Sequence, residues 1–127
     1  MELIRKRDIE TLTNSAIRSQ QLLFPENSRS TRITVTRVTM PPGAKNPLHR
    51  HAASEQVWVA LRGCGFLLLD NGITAPFAQG DVVRFEDIEY HGFENTGGTE
   101  FEYIAITSPP LNFRGAYAKT WSTDAGS

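Results

Sequence analysis

Between Arg32 and Pro110 the chain is written in short apolar runs, broken by turn-forming residues at intervals of roughly 8–12. Such punctuation points to an all-β sandwich or barrel. The first run, Arg32-Ile-Thr-Val-Thr-Arg-Val-Thr-Met40, is alternating and dense in β-branched residues, so it is expected as a strand. Pro41-Pro42-Gly43 ends it, because proline cannot donate to the ladder. Further strands are expected at Gln56–Leu61, Phe66–Asp70, Ile73–Phe77, Val82–Phe85, His91–Asn95 and Phe101–Thr107. Asn71-Gly72 suits the positive-φ positions of a tight hairpin turn. Cys64, between Gly63 and Gly65, reads as a turn residue and a free thiol.

The expected organisation is one domain in three stretches. Residues 1–30 are an N-terminal extension in which Ile9–Leu23 mixes helical and extended signals. Residues 31–108 carry the β-domain. Residues 109–127 form a C-terminal segment, whose stretch Leu111–Trp121 is too aromatic for a disordered tail and should pack on the barrel or on a partner subunit. Ser122–Ser127 should fray.

Charge excludes some partners. Thirteen Lys and Arg balance fourteen Asp and Glu, for a net charge of −1, so nothing attracts nucleic acid or an anionic membrane. The basic triplet Arg5-Lys6-Arg7 is followed at once by Asp8 and Glu10 and reads as a solvated terminus. One cysteine excludes an intrachain disulfide. The first residues lack an apolar core of signal-peptide length, and no run approaches membrane-spanning length; a cytoplasmic protein is expected.

The chemistry concentrates in two clusters. The first runs Gly43, His49, His51, Gln56, Gly63, and the second Gly80, His91, Asn95. All three histidines of the chain lie in them. Histidines at i and i+2 of an extended segment project to one face, and a third from a later strand can then close a metal site. There is no Ser-His-Asp pattern, Cys-His pair or phosphate-cradling glycine loop.

The two clusters resemble the paired motifs of the cupin superfamily, small jelly-roll β-barrels with a metal inside. Gly43, His49, His51 and Gly63 match the first motif; Gly80, His91 and Asn95 match the second. Glu86 and Ile88 stand where the family usually has proline and glycine, so the turn before His91 departs from the pattern. The resemblance implies a fourth ligand, for which Glu55 and Gln56 compete. Six residues should separate that ligand from Gly63, which selects Gln56. Strand parity poses the same choice: Gln56 inward carries Trp58 and Ala60 with it, whereas Glu55 inward carries Val57, Val59 and Leu61. Either way the second face is apolar and needs cover, and with the resemblance this leads to an expected homodimer.

The expected ligand set is therefore His49, His51, Gln56 and His91 around a divalent transition metal (Zn, Fe, Mn, Ni or Co). Neutral Gln56 leaves the ion its full charge and strengthens its pull on a bound oxygen. The leading expectation is an enzyme of isomerase or lyase type acting on a small oxygen-bearing molecule. The alternatives are a metal-dependent dioxygenase, a non-catalytic module that binds a small ligand, and a structural barrel with vestigial histidines. No catalytic residue beyond the ligands is assigned. Tyr103 and Trp58 read first as core, and Glu86 and Glu89 as solvated loop carboxylates.

Overall fold

The structure, a computed structural model, describes residues 1–110 and 122–123. Among them the chain forms β1 (Glu10–Asn14), β2 (Ile17–Leu23), β3 (Thr34–Met40), β4 (Lys45–His49), β5 (Glu55–Arg62), β6 (Cys64–Leu69), β7 (Thr74–Ala78), β8 (Val82–Phe85), β9 (His91–Glu94), β10 (Phe101–Ser108) and β11 (Ser122–Thr123). The larger antiparallel sheet has the order β11-β1-β2-β3-β10-β5-β8, and the smaller one β4-β9-β6-β7. They face each other as a jelly roll whose sheets remain separate hydrogen-bonded units among the described residues.

Alternation dictates what faces inward. On β3 the inner residues are Thr34, Thr36, Val38 and Met40; on β10, Phe101, Tyr103, Ala105 and Thr107; on β5, Gln56, Trp58 and Ala60. Phe93 from the smaller sheet stacks on Phe101 from the larger at 4.1 Å, joining the two layers. Burying Phe77, Phe85, Phe93 and Phe101 contributes about 1.5–3 kcal/mol each. Along each inner face the character changes. Met40, Phe101 and Ala60 lie at one end, and Thr34, Thr107 and Gln56 at the other.

The expected hairpin at Asn71-Gly72 is present: φ is 61° at Asn71 and 73° at Gly72, and the Ile73 N–H donates to the Asp70 carbonyl. Gly63, with φ of +86°, carries the chain from β5 in the larger sheet into β6 in the smaller one, and a Cβ there would lie 2.6 Å from the Glu100 carbonyl oxygen.

Three readings change. The N-terminal residues supply β1 and β2, which the mixed signals concealed because the inner face of β2 beyond Ile17 is polar, Ser19 and Gln21. Cys64 opens β6 and is exposed, with Gly63 alone standing between β5 and β6. Ser122 and Thr123 pair with Thr13 and Leu12 of β1, so these two residues do not fray. The expectation for Leu111–Trp121 falls outside the described residues.

Candidate metal centre

The three histidines come together where the end of β4 meets the start of β9. His49 and His91 stand opposite each other in the ladder, and His51 follows in the loop after β4. Their ring centroids lie 4.5–5.3 Å apart. One nitrogen from each ring falls within 4.8 Å of the others. The His51 loop is fastened to the turn before His91 by a hydrogen bond from the Ile88 N–H to the His51 carbonyl, 2.8 Å.

Two ring tautomers are fixed by the backbone. His49 Nδ1 lies 2.7 Å from the Pro47 carbonyl oxygen, and His91 Nδ1 lies 3.0 Å from that of Glu89. A carbonyl oxygen only accepts, so each Nδ1 carries the proton and each Nε2 presents a lone pair. His91 Nε2 is buried and has no hydrogen-bond partner. Burial, and then the neighbouring His49, push the His91 pKa down to about 3, against the contrary pull of the Glu89 carbonyl. The same two causes lower His51 to about 4. Neutral imidazoles with bare nitrogens aimed together are the form a metal ion requires, and an orphaned buried acceptor is a cost that such an ion would remove.

Gln56 points inward and is buried; Glu55 points out, where Arg84 donates to its carboxylate at 3.1 Å. The amide orientation of Gln56 is forced. The indole N–H of Trp58 can only donate, and it reaches Gln56 Oε1 at 3.1 Å, so Nε2 must be the end that donates to Thr107 Oγ1 at 2.9 Å. Oε1 keeps a second lone pair. Phe85 stacks on the His91 ring at 4.2 Å, and Trp58 meets it edge-on at 5.5 Å. Tyr103 packs on Trp58 at 4.5 Å, inside the core. Glu86 and Glu89 are exposed and work within the turn: the Glu86 N–H donates to Glu89 Oε1, and Arg84 donates to Glu86. Asn95 is structural, its amide donating to the carbonyls of Met40 and Thr99. Arg50, between the two histidines of the first cluster, lays its guanidinium 5.0 Å from the Tyr90 ring.

A cupin domain family model matches residues 36–107. The chain belongs to the cupin family. This cupin is 37% identical over 70 residues to an oxalate-binding protein of Thermotoga maritima, a match covering 55% of the chain and 57% of that protein. It is 27% identical to a crystal structure described as a predicted oxalate decarboxylase from Thermotoga maritima, with a TM-score of 0.72 over 85% of the chain and 99% of that structure. KdgF from Halomonas, at 15% identity and a TM-score of 0.73 over 89% of the chain and 97% of that structure, shares the fold.

Sequence reasoning did not single out Thr107 or Phe85. Both were reachable by parity: Thr107 continues the inward series Phe101, Tyr103, Ala105, and Phe85 lies opposite Gln56 in the ladder.

Proposed function

We propose that this cupin holds a divalent transition metal (Zn, Fe, Mn, Ni or Co) through His49, His51, His91 and Gln56 and acts on a small oxygen-bearing molecule, with chemistry of the isomerase or lyase type. The observation that carries the reading is the unpartnered, buried Nε2 of His91, turned toward two other imidazoles. A metal held there would supply Lewis acidity toward a substrate oxygen. The chain's own residues do the rest. The Pro47 and Glu89 carbonyls hold the ring tautomers, and Trp58 turns the Gln56 oxygen. Phe85 and Trp58 keep water from the buried side, and exposed Arg50 offers a positive charge to an incoming acid. The likeness to a predicted oxalate decarboxylase supports lyase chemistry on a carboxylic acid. The oxalate-binding relative favours a second reading, in which the same site binds such an acid without turnover.

The proposal also takes the cupin to be a cytoplasmic homodimer; no helix among the described residues is long and apolar enough to cross a membrane. The experiment is elemental analysis of protein purified without added metal, with activity screening and oxalate titration. The wild-type chain should carry close to one metal per chain, and His91→Ala should lose it. Gln56→Glu should keep the metal, since both carboxylate oxygens find donors in Trp58 and Thr107, yet turn over more slowly. A wild-type chain that takes up no transition metal ends the proposal, and binding without turnover of any screened acid selects the second reading.

A further inference from the structure

Beyond Thr107, the partner of Gln56, the inner face of the larger sheet carries buried polar side chains that the metal centre does not use. Gln21 on β2 stands opposite Thr36 on β3. Thr34, two residues along β3 on the same face, stands opposite Thr107, which stands opposite Gln56. Gln21, Thr34, Thr36 and Thr107 are each at most 3% exposed. Side chains directly opposite in antiparallel strands lie about 4.5–5.5 Å apart at Cβ, so the band is continuous with Gln56.

Two atoms of this band have no hydrogen-bond partner, Gln21 Oε1 and Thr34 Oγ1. The Gln21 amide cannot be turned to cure this. Its Nε2 donates to the Ser19 carbonyl at 3.3 Å and to Ser19 Oγ at 3.0 Å, and the carbonyl accepts only. A buried polar group left unpaired costs about 1–3 kcal/mol. Farther along the same inner faces the chain uses Val38 and Met40, so apolar residues fit this layer. The polar choice at Gln21 and Thr34 therefore serves something other than folding.

We propose that this band is the far wall of the ligand site and selects a molecule bearing uncharged hydroxyl groups beyond the oxygens that meet the histidines. The inference rests on the metal-site reading above. Gln21 Oε1 accepts only, so its partner must bring a proton; Thr34 Oγ1 can give or take one. The band holds no lysine, arginine, aspartate or glutamate, so a charged distal end would find no counter-charge there. Oxalate has acceptors and no donors, so it can satisfy the histidine end alone. A polyhydroxylated monocarboxylate satisfies both ends.

Calorimetric titration of the metal-loaded full chain with gluconate and with oxalate tests this, in the wild type, in Thr34→Val, which deletes one orphan atom at nearly constant shape, and in Gln21→Met, which deletes the other together with the Nε2 that serves Ser19. Both variants should keep their metal and their oxalate affinity and bind gluconate about tenfold more weakly, the loss of one hydrogen bond, and Thr34→Val should unfold at higher urea. Unchanged gluconate affinity in both variants overturns the inference, as does a wild-type chain that binds oxalate but not gluconate. Lowered stability of Thr34→Val with gluconate affinity intact also overturns it, since its hydroxyl would then be served by fixed water. Metal content separates the two readings: a wild-type chain that takes up no metal defeats the metal centre and the band with it, while a metal-loaded chain whose variants bind gluconate unchanged defeats the band alone.

Discussion

His91 concentrates the physics of the centre in one ring: buried, stacked on Phe85, proton-bearing at Nδ1 and bare at Nε2. Its folded pKa, about 3, lies below the ordinary 6.5, and that of His51, about 4, does too. The sign follows from proton counting. Below about pH 6.5 the unfolded chain takes up protons that the folded one refuses, so stability is greatest above that value and declines as pH falls toward the folded pKa values. The metal-free chain should thus lose urea resistance progressively between about pH 6.5 and 4, and His91→Phe should lose less over the same window. Parallel wild-type and variant curves would mean that His91 titrates alike in both states, contrary to its burial. The triad itself was legible, because motif spacing announces it. The tautomers were not, since they are set by the main-chain carbonyls of Pro47 and Glu89, which leave no mark in the sequence.

At the scale of elements, the inner faces change from apolar to polar along their length, and this explains which strands the sequence disclosed. Phe101–Thr107 and Gln56–Leu61 keep enough aromatic or aliphatic residues to read as strands. On β2, Ser19 and Gln21 occupy buried positions where a period-two pattern calls for apolar side chains, so the strand could not be told from a polar segment. Parity placed Gln56 inward and Glu55 outward only once the burial of Trp58 and Ala60 was known, because both faces of β5 are apolar. The turn between β8 and β9 departs from its family pattern at a definable cost. Ile88, where the family usually has glycine, sits at φ of 59°, a left-handed conformation that a β-branched residue resists. Its side chain is 59% exposed, so little packing compensates. Ile88→Asn should raise stability by about 1 kcal/mol in urea unfolding, since asparagine tolerates this region. A lower midpoint would mean that the exposed isoleucine is held by a contact outside the described residues.

For the whole molecule the outer face of the larger sheet carries the argument. Val35, Ile106 and Val57 form one cross-strand row, and Ile104, Val59 and Val82 form much of the next. Val82 is 63% and Leu61 39% exposed, while the others are half-buried. Arg84 and Arg37 border the rows, paired with Glu55 and Glu102. An apolar centre with a charged rim is the anatomy of a protein interface, and a patch of this kind left uncovered by the described residues is unusual on a monomer. A second copy laid across this sheet would leave Arg50 and Ile88, beside the histidines, free, since those residues lie outside the strands of the larger sheet. The chain is therefore expected to be a dimer in light scattering at micromolar concentration. Val82→Lys, which sets a charge on the exposed β8 edge of the face without touching the core, should shift it to monomer while leaving metal content unchanged. A wild-type chain that scatters as a monomer refutes the dimer. A variant that stays dimeric moves the contact off this face.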